Sequence, residues 1–149
     1  MIPFYSRYPT VRAVAGPELD RLTAESERRL FRDAFVVGPE SDRMGYRLAA
    51  EPLNLLGDEQ QQLVSSAVDF GTVQLLPDGR LIVLMADHQT TGGYPRVLQI
   101  VPNDLPLAAQ LGAHDKIGFH LVSLAEAENL SLALKNELNL LRHASKFRW

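Results

Sequence analysis

Residues 68–86 read Val68-Asp69-Phe70-Gly71-Thr72-Val73-Gln74-Leu75-Leu76-Pro77-Asp78-Gly79-Arg80-Leu81-Ile82-Val83-Leu84-Met85-Ala86. Pro77 presets the φ angle of a turn and Gly79 tolerates positive φ, so Val68–Leu76 and Arg80–Ala86 are predicted to pair as a β-hairpin. Leu81 to Ala86 is apolar without interruption, which predicts a strand buried on both faces. Upstream, Phe35-Val36-Val37 is short and β-branched, and Met44, Tyr46 and Leu48 alternate with Gly45 and Arg47 at the period of a strand. Downstream come Arg96–Val101 and then Lys116–Val122, where Ile117, Phe119 and Leu121 alternate. One more strand, Val11–Ala15, stops at Gly16-Pro17, while residues 51–67 fit neither period.

Three helices punctuate these strands. Thr23 is suited to cap a helix running to about Phe31. Glu25 and Glu27 lie near its positive end, and Arg28, Arg29 and Arg32 near the other. Asn103-Asp104 can cap a short helix through Leu111, ended by Gly112. Ser123 and Glu126 form a capping box. Beyond it Leu130, Leu134, Leu138 and Leu141 mark one apolar face, read as a core face. The expectation is a mainly β fold with a few helices, a closed or partly closed barrel rather than a wound α/β sheet. Residues 1–149 form one domain, with 1–10 an extended lead-in whose Ile2, Phe4, Tyr5 and Tyr8 need a surface to lie on, and 123–143 a C-terminal helix.

The chain of 149 residues is 46% apolar and 22% charged, enough for a sizeable core. A net charge of −3 lacks the basic footprint of a nucleic-acid binder. With no cysteine, disulfides, thiolate metal sites and cysteine nucleophiles are excluded. No apolar run is long enough to span a bilayer, and MIPFYSRYPT is not a secretory signal, so a cytoplasmic location without a membrane partner is expected. His88, His114, His120 and His143 lack a ligand-like spacing, so no metal site is expected. No Walker-type loop, GxGxxG or GxSxG occurs.

Two segments concentrate polar groups. In Ser41-Asp42-Arg43-Met44-Gly45-Tyr46-Arg47, the Arg43 guanidinium can hold a carboxylate or carbonyl while Asp42 orients it. The same residues also suit a surface turn with a solvated salt bridge. Asp87-His88-Gln89-Thr90-Thr91-Gly92-Gly93-Tyr94-Pro95 begins where the most apolar strand ends. Asp87 can serve there as a general base, and Gln89, Thr90, Thr91 and Tyr94 supply neutral donors and acceptors. Gly92-Gly93 lets backbone N–H groups approach a ligand. The alternative is a tight interstrand turn whose hydroxyls satisfy its own backbone. If both segments serve one site, they converge at one mouth of the barrel, with Arg43 the partner of Asp87.

These two segments resemble the signatures of the allophanate hydrolase subunit 2 family. That family is also described as the 5-oxoprolinase C-subunit, the KipA-like proteins and the biotin-dependent carboxyltransferase domain of urea carboxylase. Asp69 to Gly79, Asp104 to Leu111 and Asp115-Lys116-Ile117 resemble it too, so the likeness covers about residues 10–128. It implies a cyclophilin-like β-barrel matching the C-terminal half of a protein about twice as long. It implies partners as well: a KipI-like 5-oxoprolinase B-subunit and an A-subunit, with which ATP-dependent opening of 5-oxoproline to glutamate takes place. ATP is implied for the assembly, and this chain offers no nucleotide residues. Asp42, Arg43, Gln89, Thr90, Thr91, Gly92, Gly93 and Tyr94 are then expected to bind a small amide, and Asp87 to be catalytic. The other role implied is a KipA-like regulator that antagonises a KipI-type histidine-kinase inhibitor without turnover. The absent N-terminal half should bare an apolar surface, covered by that half or by self-association.

Overall fold

The computed structural model describes residues 5–57 and 63–146. Ile2 and Phe4 of the lead-in, and the final Phe147-Arg148-Trp149, lie outside the described residues. The chain enters with β1 (Thr10–Ala15), α1 (Ala24–Arg32), β2 (Phe35–Val37) and β3 (Gly45–Ala49). There follow β4 (Ser66–Ala67), β5 (Thr72–Leu75), β6 (Leu81–Leu84), β7 (Thr91–Gly92) and β8 (Arg96–Ile100). It finishes with α2 (Leu105–Ala109), β9 (Lys116–Leu121) and α3 (Leu124–Lys146). Seven strands close a barrel in the order β1-β8-β5-β6-β3-β2-β9, and β4 with β7 makes a separate two-stranded ribbon. Closure comes from the parallel pairing of β9 with β1, Val11 opposite Phe119; the other barrel pairings are antiparallel. With three α-helices among the described residues, the whole is a mixed α/β fold built on a closed β-barrel.

The hairpin forms where it was predicted, with Val73 opposite Val83 and Leu75 opposite Leu81. Its turn has Gly79 at φ 79°, a conformation that L side chains avoid, and the Asp78 carboxylate accepts the Arg80 N–H at 3.0 Å. The strands are shorter than the sequence pattern implied. Gly71 turns the chain at φ 88° ahead of β5, and Val68 bonds instead to the loop carrying Thr90. Leu81, Val83, Leu84 and Met85 are buried, whereas Ile82 is half-buried. The barrel interior is filled by alternating side chains such as Val11, Val37, Leu48, Val73, Leu98 and Ile117. Phe35 and Phe119 meet there as a tilted aromatic pair with centroids 5.7 Å apart.

The helix caps divide. Thr23 accepts the Ser26 N–H at 3.2 Å, as its position suggested. Ser123 and Glu126 exchange their reciprocal bonds at 2.8 and 3.1 Å. Asp104, expected to cap the short helix, does not. Its buried carboxylate accepts the backbone N–H of Arg12 and two guanidinium N–H groups at 2.6–2.9 Å, so it fastens β1 to the turn before α2. A second correction concerns α3. Ala127 is buried and Leu130 and Leu134 are half-buried, but Leu138 and Leu141 are 55% and 67% exposed. The stripe is seated on the barrel only through its first turns, because the helix runs on past its packing partners near β1 and Pro102–Asp104. No helix among the described residues is long and apolar enough to cross a membrane.

Candidate functional site

The register of β3 against β6 brings the two polar segments together. Gly45 opens β3 opposite Leu84, which closes β6. The residues before β3 and those after β6 therefore leave the barrel at the same end. Met85 N–H donates to the Met44 carbonyl and Asp87 N–H to the Arg43 carbonyl, both at 3.0 Å. The Arg43 guanidinium completes the junction, its Nε 3.0 Å from Asp87 Oδ2. Both side chains are largely solvated, so the pair adds only about 0–1 kcal/mol to stability and acts chiefly as a latch.

Around this junction each segment organises itself. Asp42 Oδ1 accepts the N–H groups of Met44 and Gly45 at 2.9 and 3.3 Å, a side-chain turn that aims the chain into β3. Ser41 Oγ accepts the Arg47 N–H at 3.0 Å. In the second segment Thr91 and Gly92 pair with Ala67 and Ser66. A Cβ on Gly92 would sit 2.6 Å from Gln74 Nε2, and one on Gly93 would sit 3.0 Å from the Leu63 carbonyl. The glycines are needed here for close approach, at ordinary negative φ, and what approaches Gly92 is a carboxamide.

Beside the junction, on the outer face of β3, β6 and β5, lies a cavity of about 350 Å³. Asp42, Gln89 and Tyr94 line it, as do Glu40, Arg47, Gln74 and Ile82. Among the described residues, Arg43, Asp87, Thr90, Thr91, Gly92 and Gly93 do not contribute to this lining. They form the latch and the ribbon beside it. One wall is apolar, from Met44, Leu76 and Ile82; the rest carries carboxylates, carboxamides, a phenol and the Arg47 guanidinium. Glu40 is held 3.7 Å from Arg80. Gln74 is 1% exposed, and its Nε2 donates to the Tyr94 carbonyl at 3.3 Å. Sequence reasoning passed over Arg47 and Gln74 as site residues. The signal for Gln74 was an amide inside the apolar run Val73 to Leu76, a placement that a purely structural strand does not need. Arg47 carried no such mark, since an exposed arginine on a strand is ordinary.

The chain is thus a closed β-barrel that carries a small polar cavity on the outer face of β3, β6 and β5, beside two latched loops. The family model for "Carboxyltransferase domain, subdomain A and B" matches residues 1–121, and the chain belongs to that family. It is 38% identical over 130 residues to the 5-oxoprolinase C-subunit of Haemophilus influenzae, covering 87% of this chain and 41% of that protein. With the 5-oxoprolinase C-subunit of Escherichia coli it shares 38% over 117 residues, covering 78% of this chain and 37% of the relative. The chain thus spans about two-fifths of the length of these relatives. In fold it is similar to the urea amidolyase of K. lactis, with a TM-score of 0.83 at 18% identity over 91% of this chain and 9% of that one.

Proposed function

We propose that this chain supplies the C-terminal, cyclophilin-like half of a 5-oxoprolinase C-subunit, and that it contributes to opening a small cyclic amide, 5-oxoproline, to glutamate. Its companions in that role are a KipI-like B-subunit and an A-subunit. An N-terminal half, or a second copy, covers the apolar surface that the lead-in extends, where Tyr5 and Tyr8 are exposed. The observation that carries the reading is the convergence of the two signature segments on one polar cavity. The likeness to relatives named as the C-subunit of 5-oxoprolinase supports it.

The cavity's chemistry suits such a substrate. A guanidinium binds a carboxylate through two parallel hydrogen bonds, which gives Arg47 the role of anchor. Gln89 and Tyr94 offer donors where the amide carbonyl gathers negative charge. Asp87 is the candidate general base at the rim and Arg43 its orienting partner. Asp42 shapes the wall, while Thr90, Thr91 and Gly92-Gly93 carry Gln89 and Tyr94 into place. ATP belongs to the assembly. A cavity of about 350 Å³ with Glu40 and Asp42 in its wall does not suit a triphosphate, so no step is assigned to the nucleotide in this chain.

The test is ATP-dependent conversion of 5-oxoproline to glutamate by this chain combined with the remainder of a C-subunit and with the A- and B-subunits. Asp87→Asn should reduce turnover steeply with the fold intact, and Arg47→Lys should chiefly raise KM. Turnover indifferent to both changes would overturn the site. Binding to a KipI-type partner without turnover would assign the chain the regulatory role instead.

A further inference from the structure

Gln74 is the most buried polar side chain of the cavity, at 1% exposure, and it stands in the middle of a barrel strand. Such a group is costly to bury unless both ends of the amide find partners. The donor end is satisfied. Nε2 donates to the Tyr94 carbonyl at 3.3 Å, and since a carbonyl accepts only, this bond fixes which end of the carboxamide is oxygen. The acceptor end is not. Among the described residues no hydrogen bond reaches Gln74 Oε1, and yet that oxygen is not sealed from solvent, since the fully buried unpartnered side-chain atom is Asn103 Oδ1. A side chain almost wholly inside the protein thus keeps one unpaired acceptor in slight contact with solvent, and the cavity is the space that this side chain lines. The surroundings hold it there. Gly92, the residue whose Cβ would collide with Nε2, is what admits the carboxamide to this position.

We propose that Gln74 is a specificity-determining residue whose Oε1 accepts the N–H of a cyclic secondary amide, while Arg47 holds the carboxylate of the same molecule. This rests on the function proposed above and narrows it. The ligand class is an unsubstituted lactam bearing a carboxylate, and a ring oxygen or an N-methyl group in place of the N–H is rejected. A site built to pair a substrate N–H discriminates strongly against analogues without one, because the buried acceptor is then left without a partner. Gln74 does not act on the reacting atoms. It positions the ring so that the amide carbonyl faces Gln89 and Tyr94.

The experiment compares 5-oxoproline, its N-methyl derivative and the corresponding lactone acid as ligands of the complete C-subunit that holds this chain. Binding is read by calorimetry, and turnover in the three-component assembly is read separately. The wild type should bind 5-oxoproline at least 100-fold tighter than either analogue. Gln74→Met should erase most of that ratio while leaving the affinity for the lactone acid within a few-fold. Gln74→Glu, which keeps an acceptor but loses the donor to Tyr94, should retain part of the preference for the N–H ligand. Circular dichroism and thermal unfolding check that both variants keep the fold. An unchanged ratio in folded Gln74→Met would overturn the role of Gln74 while the proposed function stands. Turnover of 5-oxoproline with no preference over the N-methyl analogue in the wild type would do the same. Failure of the wild type to bind or convert any of the three would overturn the function itself.

Discussion

At the residue scale two glycines show how the identity of a neighbour sets the cost of a side chain. A Cβ on Gly16 would lie 2.2 Å from the Arg96 carbonyl, which belongs to the β8 backbone and cannot retreat. A Cβ on Gly92 meets only the end of the Gln74 side chain, which can rotate. Gly16→Ala should therefore lose about 3 kcal/mol in urea unfolding. Gly92→Ala should lose less than about 1 kcal/mol and should instead weaken ligand binding by displacing the carboxamide. Glu18 supplies a pH test. Burial alone would push its carboxyl up, but the Arg96 guanidinium and backbone N–H, at 2.8–3.1 Å, hold it below the ordinary carboxylate range. A carboxyl with a depressed folded-state pKa contributes its full stabilisation above its unfolded value, about 4.3, and loses it as pH falls through the folded value. The stability gap between wild type and Glu18→Gln, measured by urea titration, should be open at pH 7 and narrow progressively below about pH 4.3.

Among the elements, α1 and α3 contrast in what supports them. α1 is capped by Thr23, packs on β9 and buries Leu30 and Ser26, whose Oγ accepts the Asn54 N–H, so Thr23→Ala should cost about 1 kcal/mol. α3 has a complete capping box, yet its second half makes no use of its leucines in the described structure. Leu138→Glu and Leu141→Glu should leave the unfolding of the barrel within about 0.5 kcal/mol of wild type. A large loss would mean that the stripe is packed in solution. Asp104 is the opposite case. It reads as a helix cap and works as a tie between elements, so Asp104→Ala should destabilise by about 2–3 kcal/mol through the buried hydrogen bonds to Arg12 that it removes. A cap of the ordinary kind would cost less.

For the whole molecule, the decisive contact is the one between the first strand and the last. β1 pairs with β9 across more than a hundred residues of chain, and Arg7 reaches Asp115 at 2.6 Å beside that seam. Removing residues 1–15 should leave β8 and β9 as free edges, replace a single sharp unfolding transition by a broad one and expose apolar surface to dye. A variant that unfolds sharply and binds no dye would show that the barrel closes by another route.

Strand and turn positions were legible because they rest on local chemistry: the period of side chains along a strand, the fixed φ of Pro77, the positive φ of Gly79 and the short reach of Thr23, Ser123 and Glu126 to their own backbone. The same was true of the two polar segments, which stand out in composition wherever they lie in space. Closure of the barrel, the exposed end of α3 and the tie from Asp104 to Arg12 were not legible, since each depends on what packs alongside. Sequence alone therefore determined the places of the seven barrel strands though not their ends, the main turn, the well-capped helix starts and the candidate loops; the short ribbon of β4 and β7 was not legible. The tertiary structure alone decided that Arg47 and Gln74 line the cavity while Arg43 and Asp87 latch its rim. A side chain's neighbours across a sheet are set by register and closure between distant strands, and no local pattern carries that information.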